Sequence, residues 1–203
     1  MRVSIVDYGV GNIAALLNMF EYIGVEAEAV SDHAGISRAE KLVLPGVGAF
    51  DRAMENLRSR GLVDPLNEAV QVRKLPVLGI CLGMQLMADH SEEGEQPGLG
   101  WIEGAVVQLG PGEARLKVPH VGWSDIRPTA ATVLFPVTSI PERFYFVHSY
   151  HFVCRHAGDV AARVSYGDDI CVAVSKDNVH GVQFHPEKSH RFGMRLLTSF
   201  AED

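Results

Sequence analysis

A cysteine with a glycine two residues away on either side, Gly79-Ile80-Cys81-Leu82-Gly83, follows the apolar run Pro76–Ile80 and precedes a stretch of helical pattern. Strand, tight turn and helix in that order make a nucleophile elbow, here with cysteine in the reactive place. Glycines at those two positions let crossing backbone approach where a Cβ would collide. The start of the following helix favours the thiolate, and the Leu82 amide is left free to stabilise an oxyanion. A cysteine nucleophile needs a base, and the base needs an orienter. Phe184-His185-Pro186-Glu187 supplies both just past another apolar run, Val179–Gln183, with Pro186 stiffening the turn between imidazole and carboxylate. Cys81 and His185 lie 104 positions apart, so only the fold can join them. The bland alternative is a buried cysteine between two packing glycines; the strand–turn–helix context favours the nucleophile.

Two further segments belong with this chemistry, and one competes with it. Leu44-Pro45-Gly46-Val47-Gly48-Ala49 leaves the end of a strand as a loop of small residues, where open α/β sheets bind ligands, and its amides offer a second oxyanion donor. An ordinary Pro-Gly turn is the simpler reading. Gly9-Val10-Gly11-Asn12-Ile13-Ala14 fits the dinucleotide fingerprint, with Asp32 near the end of the second strand as the ribose acid. This competing module leaves Cys81, His185 and Glu187 unexplained. His148 and His151 form an HxxH pair without an adjacent acid or thiol, so no metal site is expected. His33, His90, His156 and His190 read as surface.

The elements that must position these residues are legible in outline. Arg2–Asp7, Glu26–Val30, Lys41–Leu44 and Pro76–Ile80 read as buried parallel strands. Helices are expected on Ile13–Phe20, ended by Gly24; from Phe50 to Leu57; from an Asp64 cap with Pro65 at the first position to about Arg73; and over Leu82–His90. From Trp101 onward short β-rich segments (Ala105–Leu109, Phe144–Val147, Val160–Ser165, Cys171–Ser175, Val179–Phe184) predict antiparallel strands that extend the sheet, and a helix over Phe192–Phe200 closes it. The expectation is an α/β fold of one domain, residues 1–203, with a mixed, mainly parallel sheet between helices. With 25 acidic and 18 basic residues the chain carries a charge of −7, which argues against nucleic-acid binding. No apolar stretch approaches the roughly 18 residues of a membrane span. Three cysteines without a CxxC pair point to a reducing, cytoplasmic setting.

PGVGAF, GICLGMQL and GVQFHPEKS together resemble the class I glutamine amidotransferases, the Cys-His-Glu glutaminases, along essentially the whole chain. KVPHVGW (Lys117–Trp123) and FYFVHSYH (Phe144–His151) further resemble the branch that forms the glutaminase subunits of imidazole glycerol phosphate synthase. The resemblance implies a three-layer, doubly wound α/β fold without a cofactor. It implies Cys81 as nucleophile, His185 as base and Glu187 as its orienter, with Gly46, Val47, Gly48 and the Leu82 amide forming the oxyanion site. It implies that Gln85, Glu93 and the backbone near His148, Ser149 and Tyr150 hold L-glutamine. Asn12, Trp123 and Lys188 would face the partner, a (β/α)₈ cyclase subunit that accepts ammonia through a channel. The chain departs from that branch at Ser124, where asparagine is usual. DYGVGNIAALLNM and HPEKSHRFGM resemble a side branch that supplies ammonia for acetamidino sugars of surface polysaccharides, and this alternative stays open.

Overall fold

The computed structural model describes residues 2–110, 116–129, 132–135 and 142–203. Its first half alternates strand and helix: β1 (Val3–Val6), α1 (Ile13–Tyr22), β2 (Ala27–Val30), α2 (His33–Arg38), β3 (Lys41–Gly46), α3 (Phe50–Ser59), α4 (Val63–Asn67), β4 (Val77–Cys81) and α5 (Leu82–Gln85). Strands dominate the second half: β5 (His90–Ser91), β6 (Gly104–Gln108), β7 (His120–Pro128), β8 (Glu142–His148), β9 (Tyr150–Cys154), β10 (Val160–Tyr166), β11 (Asp168–Lys176) and β12 (Val179–Val182). Helix α6 (His190–Glu202) follows.

These strands form one mixed sheet of 12 strands, with main order β2-β1-β3-β4-β12-β11-β10-β7-β8. From β2 to β12 neighbours run parallel; beyond β12 they turn antiparallel. A side arm of β5, β6 and β9 joins through β11. The decisive pairing is β4 with β12, which puts two strands distant in sequence side by side, Ile80 opposite Val182. Cys81 and His185 therefore leave the same edge of the sheet on adjacent strands.

β1, β3, β4 and β12 are buried on both faces, so their apolar residues run without polar alternation. Period-two geometry still sorts them. Val3, Ile5, Val43, Leu78 and Ile80 pack with Leu16 and Phe20 of α1 and Leu197 and Phe200 of α6. Val6, Leu42, Leu44 and Val77 pack on the other face with Ile36, Phe50, Met54, Leu57 and Leu66. Three layers result. Each such side chain contributes about 1.5–3 kcal/mol by leaving water. Among the described residues no helix is long and apolar enough to cross a membrane.

Gly24 ends α1 where the pattern placed it. Its φ is +76°, and the Gly24 and Val25 amides close on the Glu21 and Phe20 carbonyls at 3.0 and 2.9 Å, the hydrogen-bond pattern of a left-handed helix cap. The competing dinucleotide module loses its acid, and two expectations need correction. Asp32 is no ribose acid: its Oδ1 accepts from Gly35 N at 2.7 Å and caps α2, a helix the sequence pattern did not reveal. The helix expected from Asp64 starts at Val63 after Leu62, and continues past Asn67 as a π-turn over Glu68–Val72. The helix expected over Leu82–His90 stops at Gln85. The Leu86, Met87 and Ala88 carbonyls, which would have carried it on, accept instead from Leu99, Gly100, Trp101 and Ile102.

Candidate active site

Cys81 is the last residue of β4 and the cap of α5, with φ +55° and ψ −110°. A side chain larger than glycine is rarely held there, and the strain is stored where the surroundings over-determine the turn. They do so here. A Cβ on Gly83 would sit 1.7 Å from the Leu44 carbonyl oxygen, and one on Gly79 would sit 2.7 Å from Met84 N. On Gly46 it would meet Gly83 N at 2.8 Å and the Tyr8 hydroxyl at 2.9 Å. The β3 end, the elbow and α5 are thus in backbone contact, with Gly46 directly beside Cys81 in the parallel ladder. As first residue of α5, Leu82 has an amide without an intrahelical partner.

His185 and Glu187 follow β12. The imidazole Nδ1 lies 2.8 Å from Glu187 Oε1, and each side chain is 3% exposed. The opposite nitrogen, Nε2, is buried without an ordinary hydrogen bond among the described residues, and its neighbour is the Cys81 thiol. Burial alone would lower the imidazole. Hydrogen bonding and charge from Cys81 and Glu187 outweigh it and push His185 up to about 9, so the ring is held as imidazolium at neutral pH.

A cavity of about 320 Å³ opens over the sulfur, at the low end of the usual size for a small-molecule site. Cys81, Leu82 and His185 line it, as do Val47, Gly48, Gln85, Glu93, His148, Ser149 and Tyr150. The sequence-derived residues are thereby brought together. Glu93 also accepts from Phe50 N at 3.0 Å and so ties the rim to the start of α3. Asn12, Trp123 and Lys188 are exposed outside the cavity. Asn12 caps α1 through Ala15 N. Trp123 stacks on His190, ring centroids 5.6 Å apart, and the Lys188 ammonium lies 6.0 Å from the Tyr145 ring. The Gly9–Gly11 loop packs on Pro45, where a Cβ on Gly11 would touch the proline ring at 3.2 Å. It buttresses the loop beside the cysteine, and with Asp32 committed to α2 no nucleotide cradle remains.

Sequence reasoning missed three residues here. Tyr8, fully buried, donates its hydroxyl to the Pro45 carbonyl at 2.7 Å and fixes the peptide ahead of Gly46. His120 lies 3.1 Å from His148 Nε2 through its Nδ1, and 2.9 Å from Ser124 Oγ through its Nε2. Burial lowers His120 to about 4 and His148 to about 3, so both rings are neutral. Their protons are then fixed: the Tyr150 carbonyl accepts from His148 Nδ1 at 2.8 Å, His148 Nε2 accepts from His120, and His120 Nε2 accepts from Ser124. Gln183, with no exposed surface, lies between Gln85 and Cys81. A polar residue set between the apolar Val182 and Phe184 was the available signal. Among the described residues no cluster of three or more His, Cys, Asp or Glu side chains is placed to hold a metal ion.

A strained cysteine at a helix start, a buried imidazolium–carboxylate pair beside it and free amides across a small cavity suit acyl transfer from an amide. The chain belongs to the glutamine amidotransferase class-I family, which it matches over residues 4–202. It is similar to imidazole glycerol phosphate synthase subunit HisH 2 of Pseudomonas aeruginosa, with 48% identity over 198 residues and 98% of each chain covered. The protein of the same name from Methanococcus maripaludis is 45% identical over 198 residues, again with 98% of each chain covered. Subunit HisH of Bdellovibrio bacteriovorus is 45% identical over 202 residues, covering 98% of this chain and 99% of the relative. The fold is shared with PurLQS from Thermotoga maritima (TM-score 0.78, 19% identity, 99% of this chain and 97% of that one). It is shared also with a crystallised glutamine amidotransferase (TM-score 0.77, 24% identity, 98% and 97% covered).

Proposed function

We propose that this chain, a single domain over residues 1–203, is the glutaminase subunit of an imidazole glycerol phosphate synthase. It works in the cytoplasm, where its three free thiols stay reduced. The relatives at 45–48% identity along the whole chain support the histidine-pathway reading over the polysaccharide branch. The observation that carries the chemistry is the strained Cys81 beside a buried His185–Glu187 pair.

In this reading the Cys81 thiolate attacks the side-chain amide carbon of L-glutamine. The negative oxygen of the tetrahedral intermediate takes hydrogen bonds from the Leu82 amide and the Gly46-Val47-Gly48 segment. The His185 imidazolium gives its proton to the departing nitrogen, and ammonia leaves as the carbon–nitrogen bond breaks. A water then attacks the thioester, its proton passing to His185, and glutamate departs as the carbon–sulfur bond breaks. Glu187 holds the ring and stabilises its charged form without taking the proton. Gln85, Glu93 and the His148-Ser149-Tyr150 segment hold the amino-acid end.

Ammonia released into water would be protonated and lost, so the acceptor subunit must cover the cavity mouth. We assign that role to a (β/α)₈ cyclase subunit meeting Asn12, Trp123 and Lys188. The test is to mix the chain with such a subunit and its nucleotide substrate and follow glutamate release. The chain alone should be slow, by about 10²–10³ if one oxyanion donor is set only on binding. Cys81→Ala should abolish turnover with the thermal transition nearly unchanged. Equal rates with and without the subunit, or full turnover in Cys81→Ala, would overturn the reading.

A further inference from the structure

The steps above make no use of Gln183, yet its side chain touches the reacting sulfur. Its Nε2 lies 3.7 Å from Cys81 Sγ and its Oε1 lies 3.0 Å from Gln85 Nε2. An amide can be turned end for end, so its polarity must come from its partners. Here the partners decide it. Gln85 Nε2 lies 3.1 Å from the Tyr150 carbonyl oxygen, and a carbonyl only accepts. The Gln85 atom at that point is therefore nitrogen, and its second N–H is aimed at Gln183. The Gln183 atom that receives it is oxygen, which leaves the Gln183 NH₂ group directed at sulfur. A satisfied polar residue explains burial but not this choice of residue. Gln183 sits between Val182 and Phe184, both fully buried, where a methionine of similar volume would pack without any polar group to satisfy.

We propose that Gln183 is a positioning residue for the nucleophile: its amide N–H donates to Cys81 Sγ, in an orientation dictated by the Tyr150 carbonyl through Gln85, and steadies the sulfur as thiolate. The inference rests on the reading of Cys81 as nucleophile. It gives Gln183 a part that His185 cannot play. His185 gives up its proton during the reaction, whereas an amide donor is unchanged from one step to the next. The N–H···S bond is strongest when sulfur carries charge, before attack and again as thiolate leaves the thioester, and weakest in the acyl-enzyme between.

The test is the pH dependence of Cys81 alkylation by iodoacetamide in the full chain, with the adduct located by mass spectrometry to separate Cys81 from Cys154 and Cys171. Gln183→Met removes the donor at similar volume. Gln183→Asn keeps the amide but draws it back by one methylene. In each the midpoint of the alkylation profile should move up by about one to two pH units, the effect of losing a hydrogen bond to a charged group. Thermal melting verifies that each variant is folded, and either one alone suffices for the comparison. A folded variant whose profile coincides with that of the unaltered chain overturns the proposal. If the profile shifts but the unaltered chain with its synthase subunit releases no glutamate, the donor assignment stands and the glutaminase reading falls.

Discussion

Replacing Glu187 by glutamine keeps the shape of the side chain and an oxygen facing His185 while removing the charge. The structure sets the size of the effect. His185 stands at about 9 against an ordinary 6.5, raised by Cys81 and Glu187 against its own burial. The Glu187 contact is short, 2.8 Å, with both side chains almost out of water. A hydrogen bond between charged groups is worth about 1.5–3 kcal/mol, or about one to two pH units at 1.36 kcal/mol each. The variant should therefore titrate His185 near about 7–8, which ¹⁵N NMR of the imidazole reads directly. Stability carries the same signature. A group raised on folding stabilises fully below its unfolded value near 6.5, and that contribution is lost as pH climbs through about 9. Chemical denaturation of the unaltered chain should show this loss, on the order of 3 kcal/mol at most, and Glu187→Gln should show a smaller one. Partner-stimulated glutamine turnover should fall by orders of magnitude, though less than in Cys81→Ala. A Glu187→Gln chain that still titrates His185 near 9 and keeps turnover within about threefold, the range of a neutral surface change, would refute the reasoning.

Two further outcomes follow from the packing. Gly83→Ala puts a methyl 1.7 Å from the Leu44 carbonyl; relieving that clash means separating α5 from β3, so we expect a loss of about 3 kcal/mol or more and no soluble, folded chain on expression. Asp32→Ala removes the cap of α2 and should lower stability by about 1 kcal/mol in urea denaturation, with glutamine turnover unchanged; a selective loss of turnover would give the loop after β2 a role in chemistry that its geometry does not suggest.

Much of this molecule was legible in its residue order, and the limits are instructive. The apolar runs at β1, β3, β4 and β12 are buried on both faces, so they read as strands without their partners being known. The elbow was readable because glycine at positions 79 and 83 is demanded by backbone contact, a local constraint. Gly9-x-Gly11 offered a competing reading for the same reason: glycine marks close approach, and the sequence does not say to what. Here the neighbour is Pro45 rather than a phosphate. Helix α2 was hidden because its cap, Asp32, had been spent on another motif, and its six residues are too few for a clear periodicity. The early end of α5 was invisible because carbonyls of Leu86–Ala88 are captured by a loop a dozen residues later. Gln183, His120 and Tyr8 act through partners that, Ser124 beside His120 apart, are remote in sequence, and no spacing rule connects them to Cys81.

The pairing of β4 with β12 also has a consequence in time. During synthesis the reactive cysteine leaves the ribosome about a hundred residues before the histidine that activates it, and until β12 docks against β4 the thiol lacks its base. A nascent chain therefore cannot consume glutamine, however much of its first half has folded. A proteolytic cut in the exposed Asp177 turn ahead of β12 would sever the covalent link between nucleophile and base and leave only the β4–β12 ladder and packing to hold them together. The active site is completed only when that late strand docks, and β12 acts as the switch.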